Sequence, residues 1–288
     1  KDNVLTLGVR SRWGEPAEVE WKLTVPAWLP LRLSGMESEI EVTGMRSAVR
    51  AQSMRGDVMV RACQGTLEVN SVEGEVHVTD VSGLVNAGSV NNVIRLVRVT
   101  GTVEAQTING DIQLEKLASS SVDASTVNGR VFFASPFLNN GRYAFSSHNG
   151  RLYVGVPSDQ RVKVKVSSFN GQVESSVPMP GPLPRGRTPR FDRGRSVRFV
   201  TGELANAPQA PEVPESPQAP ELELASFGGL IQLGSQDEVL RAIDRQRAAL
   251  DIARAALLRA RRELARARRL NPPAEASAAP EPPTPPRH

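Results

Sequence analysis

From Val49 onward, apolar and polar positions alternate in a frame that returns every 18 residues. One series reads Val49-x-Ala51-x-Ser53, Leu67-x-Val69-x-Ser71, Val85-x-Ala87-x-Ser89, Val103-x-Ala105-x-Thr107 and Val122-x-Ala124-x-Thr126. A second short alternation follows each copy, as in Ser53–Val60, Ser71–Val78, Ser89–Leu96, Thr107–Leu114, Thr126–Phe133, Ser147–Val154 and Ser168–Ser175. Between the two lies a pivot residue: Gly56, Gly74, Asn92, Gly110, Gly129, Gly150 and Gly171, at steps of 18, 18, 18, 19, 21 and 21. Ser38–Val42 is a first copy without its glycine, and Leu222–Leu233 is a last one with its pivot at Gly229.

A period of two puts alternate side chains on opposite faces of a strand. Leu67, Val69, Val76 and Val78 therefore face one way, and Glu68, Glu75 and His77 the other. One such period cannot bury its apolar face alone, but copies stacked about 4.8 Å apart can. The spacing predicts an all-β fold, a β-solenoid or β-roll of about 18–21-residue coils with two strands per coil. A meander or barrel would tolerate irregular spacing, whereas three consecutive steps of 18 favour the solenoid. At the tight corner, glycine or asparagine is expected to supply a backbone with positive φ. The row Ser53, Ser71, Ser89, Thr107, Thr126, Ser147 and Ser168 has inward parity and is expected to hydrogen-bond the backbone at the bend. A looser corner carries Gly44, Gly65, Gly83 and Gly101, and later insertions such as Ser135–Arg142 fall there.

The flanks read differently. Residues 1–30 are expected to cap the first coil with strands at 4–10 and 18–25, parted by a turn at 13–16. The repeat domain spans 31–234, with a Pro/Gly/Arg- and Pro/Glu-rich insertion at 176–220 before a final coil. A short strand is expected inside that insertion at Val197–Thr201. Residues 235–270 read as a helix, with Ser235 as N-cap and Asp237 and Glu238 in its first turn. Ile243, Leu250, Leu257 and Leu264 are spaced by seven and make a narrow seam with Ala253, Ala260 and Ala267. Residues 271–288 read as a disordered Pro/Ala tail.

Charge narrows the function. The net charge is +4, and residues 30–176 are balanced at 14 bases and 14 acids, so no nucleic-acid partner is expected. Residues 254–269 hold seven Arg against one Glu. That helix is expected to self-associate, to dock on a protein, or to lie on an anionic membrane surface. No apolar run reaches the length of about 18–20 residues that a membrane-spanning helix needs. The chain opens on Lys1 and not on Met; in an exported reading, an upstream signal peptide is expected to have been removed, although the same start fits a chain simply cut there.

Candidate chemistry is sparse. Asp57, Glu75 and Asp111 could stack into a cation site, but their row continues as Val93, Arg130, Arg151 and Gln172, so solvated surface is the expectation. No catalytic, cofactor or metal residue is assigned. Cys63, near a corner, reads as filler, and His148 reads as packing because Val127 and Phe169 occupy its column. Phe133 and Tyr153 read as core or rim residues.

The Val25-Pro26 lead-in followed by serial S/T-x-N-G-x-V/I units resembles the DUF4097 family of bacterial β-strand-repeat proteins, often labelled adhesins. The resemblance covers roughly residues 4–233 and leaves the helix outside. It implies an exported, periplasmic or cell-surface protein with no catalytic motif to carry over. The resulting expectation is a non-enzymatic, adhesin-like structural or binding scaffold whose protein or cell-surface partner is unnamed. The alternative is a scaffold or regulatory module that self-assembles or recruits partners through residues 235–270.

Overall fold

The computed structural model describes residues 21–157, 160–177, 195–200 and 219–270. The chain winds into a β-solenoid of parallel strands, beginning with Leu31–Glu37 and Ile40–Thr43 and stepping coil by coil. The repeat dictates the register: Val58 pairs with Val76, Val76 with Ile94 and Ile94 with Ile112, and all four are fully buried. A corner file of Met45, Cys63, Val81, Val99 and Leu117 runs beside them at the same 18-residue step, also buried. Cys63 is therefore packing material in that file, as its corner position suggested.

The interior widens where the steps lengthen. Within residues 135–141, Pro136 and Leu138–Asn140 are exposed, while Phe137 turns inward and packs against Phe133 and Tyr143 at ring-centroid distances of 5.1 and 4.8 Å. Phe133 also meets Phe145 at 4.9 Å. The Tyr143 hydroxyl donates to the Ser119 carbonyl and accepts from Leu138 N–H, both at 2.8 Å. Burial raises the pKa of that phenol, against a smaller lowering by the hydrogen bond from Leu138 N–H.

Glycine fills the tight corner for a different reason from the one expected. Among the pivots only Gly56 has a left-handed φ, +138°. A Cβ on Gly74, Gly129 or Gly150 would lie 1.9, 1.7 or 1.5 Å from the pivot carbonyl of the coil beneath. At these three positions the coils touch backbone to backbone and leave no room for a side chain; Asn92 is the one pivot that carries one. Positive φ belongs to the looser corner, at Ala62, Asp80, Arg98 and Lys116 and at Gly44 and Gly83. The hydroxyl row behaves as expected: Thr126 Oγ1 donates to the Gly110 carbonyl at 3.2 Å and accepts from Gly129 N–H at 3.0 Å. Each buried hydroxyl so satisfies backbone polar groups that the bend would otherwise orphan.

Coil order departs from chain order. The last copy was expected to be the final coil. Instead Glu221–Ser226 pairs with Arg142–Ser147 on one side and Lys163–Ser168 on the other, and Leu230–Gly234 lies between Arg151–Gly155 and Gln172–Ser175. Coil 163–175 is therefore outermost, and the edge of its first strand, Lys163–Ser168, is paired antiparallel by Arg195–Val200. That strand corresponds to the one expected inside the insertion. Such an edge strand covers unpaired backbone groups that would otherwise invite further chains.

One flank expectation changes. Residues 21–25 form no strand, and Trp21 and Leu23 are exposed; Pro26 and Pro30, which lack N–H donors, interrupt pairing before the first coil. The strand at 4–10, the turn at 13–16, most of the insertion and the tail at 271–288 lie outside the described residues. The helix α1 spans Gln236–Leu270 and starts as expected: Glu238 N–H donates to Ser235 Oγ at 3.3 Å, and Ser235 N–H donates to Glu238 Oε2 at 3.0 Å. Val239 and Ile243 bury against Phe132, Ala134 and Tyr153, so Tyr153 lies under the helix, stacked on Phe132 at 4.8 Å. Beyond Leu250 the seam emerges, and Leu257 is 57% exposed.

Candidate functional site

The residue after each buried hydroxyl points outward by parity, yet it is apolar or aromatic in every coil from Met54 on. Met54, Val72, Val90, Ile108 and Val127 continue into His148, Phe227 and Phe169. All are exposed except Val90, which is half-buried. Seven coil steps make this ledge about 34 Å long. Solenoid geometry forces the arrangement, since any position repeated at the coil period becomes a straight file.

The aromatic end of the ledge is ordered by stacking. His148 and Phe227 lie 4.6 Å apart, Phe227 and Phe169 4.8 Å apart, each pair within 8° of parallel. Phe227, the middle ring, spends both faces on its neighbours. His148 was expected to pack in the same column as Val127 and Phe169; it does, but Phe227 of the inserted coil separates it from Phe169.

Amide rows border the ledge. On the pivot side Asn109, Asn128 and Asn149 each donate from Nδ2 to the Oδ1 of the preceding asparagine, Asn91, Asn109 and Asn128, at 3.0, 2.8 and 3.1 Å. On the other side stand Gln52, Asn70 and Gln106, with small residues at Gly88 and Ser125. A shallow groove runs between this wall and the ledge, and continues past Ser146, Ala225 and Ser167 to the stacked rings. It offers uncharged hydrogen-bonding groups beside an apolar strip.

One column further out is charged with both signs, and Arg50–Glu68 and Lys165–Glu223 are ion pairs within it. Glu104 and Asp123 face each other in adjacent coils, and Asp123 has a raised pKa, first from desolvation and then from Glu104. A carboxyl held above its unfolded pKa opposes folding once ionised, so its penalty is full above the folded pKa and disappears below the ordinary carboxylate range. Asp123→Asn is expected to be slightly more stable than the parent in urea at neutral pH, with the difference vanishing in acid. The gain is small because the side chain is largely open to water. A variant weaker than the parent at pH 7 would contradict this account.

The acids that the sequence placed in one row are each engaged by other groups. Asp57 Oδ1 accepts from Glu75 N–H at 2.8 Å, and Asp111 Oδ1 accepts from Arg130 N–H at 2.7 Å. Each carboxylate thus pins the next coil. Asp111 also pairs with the Arg130 guanidinium at 2.8 Å and with Gln246 of the helix. Glu75 contacts His77 at 2.7 Å. Glu75 and Asp111 are therefore tied and largely covered, not solvated surface as expected. Among the described residues, no group of three or more His, Cys, Asp or Glu could hold a metal ion. Glu115, also covered, pairs with Arg247 of α1. Among the described residues no helix is long and apolar enough to cross a membrane.

The expected corner residues Gly56, Gly74, Asn92, Gly110, Gly129, Gly150, Gly171 and Gly229 flank the ledge and do not line it. The ledge itself was missed in the sequence, although the signal was present as an apolar residue of outward parity in every repeat. No family model matches the chain, and neither any curated protein nor any solved structure is significantly similar to it.

Proposed function

We propose that this chain is a non-enzymatic, exported scaffold of the bacterial envelope, adhesin-like and of the DUF4097 type, whose contact face is the apolar ledge. What carries the reading is the continuous exposure of Met54, Val72, Ile108, Val127, Phe227 and Phe169 on a rigid stack. A run of exposed apolar side chains rimmed by polar residues is characteristic of an interaction site. The amide rows beside it suit an uncharged, extended ligand such as a neutral glycan chain or a peptide strand. The edge of Phe227, not its faces, meets that ligand, beside the aliphatic side chains and the amides.

The test is binding of purified protein to cell-wall fragments, neutral polysaccharides and matrix proteins, beside a triple variant Ile108→Ser, Val127→Ser, Phe227→Ser. Retention on at least one ligand is expected, with a loss of tenfold or more, roughly, in the variant. Equal binding by the variant would remove the ledge from the account, and detection of the protein only in the cytoplasmic fraction of its cells would remove the envelope role.

A second reading, assembly through the helix, rests on the seam that emerges beyond Leu250. Leu257 belongs to the same seven-residue file as the buried Ile243 yet stands exposed. Under that reading light scattering gives a larger mass for the full chain than for Leu257→Glu; equal monomer masses would end it.

A further inference from the structure

Coil 221–234 sits where the chain itself provides another arrangement. Its neighbours, coils 142–155 and 163–175, are matched to each other column for column through it. Tyr143, Leu222 and Val164 share one file, Phe145, Leu224 and Val166 a second, and Leu152, Ile231 and Val173 a third. Lifting out the middle member leaves two faces with the same register and the same inward apolar residues. The hydroxyl–glycine corners also correspond, since Ser147 with Gly150 and Ser168 with Gly171 make the same bond at 2.8 and 2.9 Å.

Covalent reach permits either arrangement. Gly150 and Gly171 are 21 residues apart, the same step as Gly129 to Gly150, which spans adjacent coils. The seven residues 135–141 cross one coil step, and the seven residues 156–162 now cross two. Seven residues can extend to about 23 Å, well beyond either need. On the other side, residues 176–220 join coil 163–175 to coil 221–234; Arg195–Val200 within them pairs with Lys163–Ser168, and 20 residues (201–220) lead from that strand to the inserted coil. It is held by burial of Leu222, Leu224, Ile231 and Leu233 and by α1, whose Gln246 and Arg247 reach Asp111 and Glu115.

We propose that the space between coils 142–155 and 163–175 is a reversible docking slot for the chain's own segment 221–234. When the segment leaves, coil 163–175 closes directly on coil 142–155, and segment 221–270 is released as a tethered arm. The arm carries four newly exposed apolar side chains and the Arg-rich helix in one piece. The Arg195–Val200 strand pairs with coil 163–175 and not with the inserted coil, so the outer edge of Lys163–Ser168 stays covered in both arrangements. The two arrangements also differ on the ledge: Phe227 stacks between His148 and Phe169 in one, and His148 meets Phe169 directly in the other.

Disulfide trapping in the full chain distinguishes the two, in a Cys63→Ser background so that the native thiol takes no part. Ser146, Ala225 and Ser167 occupy successive positions of one half-buried outward file, and Ser125 precedes Ser146 in it. Neighbouring coils bring Cα atoms within the range of about 4.4–6.8 Å that a disulfide accepts, and two coil steps exceed it. Under a mild oxidant the pair Ser146→Cys with Ala225→Cys is expected to close fast within one monomer. The pair Ser125→Cys with Ser146→Cys is the control for an intact stack. The pair Ser146→Cys with Ser167→Cys is expected to close slowly but completely, each closure recording a departure of the inserted coil. Leu224→Ala, which hollows the segment's own core contact, is expected to speed the 146/167 closure by more than about tenfold and leave the control unchanged. Failure of the 146/167 pair to close in both backgrounds, with the control closing normally, overturns the proposal. So does rapid 146/167 closure in a chain whose 146/225 pair never forms. Should Leu224→Ala abolish the control as well, the time course in the unsubstituted core decides alone. A 146/225 link found only between monomers would also overturn the proposal, because the segment would then belong to a second copy.

Discussion

Gly150→Val is expected to destabilise the solenoid by more than about 3 kcal/mol in urea unfolding followed by circular dichroism. Even the first added carbon would lie 1.5 Å from the Gly129 carbonyl oxygen and 2.7 Å from its carbon, and both atoms are backbone. No rotamer change relieves such a contact, so adjacent coils must part. Parting them breaks the bond from Gly150 N–H to Ser147 Oγ, 2.8 Å in the parent, and the ladder between Thr126–Gly129 and Ser147–Gly150. Gly44→Ala makes the comparison. An added carbon there meets nothing within 4 Å, and only the φ of +76° is unfavourable. Its cost is expected to stay near 1–2 kcal/mol, roughly the penalty of one left-handed residue. Similar losses at the two positions would show that the pivot column is not closely stacked.

Phe133→Ala is expected to cost about 3–5 kcal/mol, the range for removing a buried aromatic ring. Phe133 is the hub of the widened coil, with Phe137, Tyr143 and Phe145 at 5.1, 5.6 and 4.9 Å. Collapse of the vacated space is opposed from both sides, because Leu114 beneath and Val154 above are fixed by the parallel ladder. The Tyr143 hydroxyl, bonded to Ser119 and Leu138, is pinned as well. A loss under about 1.5 kcal/mol, by the same unfolding measurement, would mean that the ring cluster relaxes and is not a rigid part of the core.

Much of this was legible because a one-dimensional stack translates sequence period directly into space. Val58, Val76, Ile94 and Ile112 form one file since a residue pairs only with its counterpart in the next coil. The hydroxyl row followed from the same parity, and Ser235 with Glu238 marked the helix start by local chemistry alone. The ledge was legible in principle, because parity already placed Ile108 and Val127 outside; an apolar residue of outward parity carries no weight in one coil and becomes a strip only when the coils stack.

The repeat, its register, its inward file and the helix were set by the sequence itself, since each depends on neighbours one period away or on a single turn of helix. Three things were decided only by tertiary structure. Glycine at Gly129 and Gly150 answers to a carbonyl in another coil, and no local dihedral preference could have indicated it. Burial of Asp111 and Glu115 depends on where α1 lies, and a helix start says nothing of which coils its side chains reach. The insertion of 221–234 ahead of 163–175 depends on which of two identical registers a long connection permits, and identical repeats carry no order of their own.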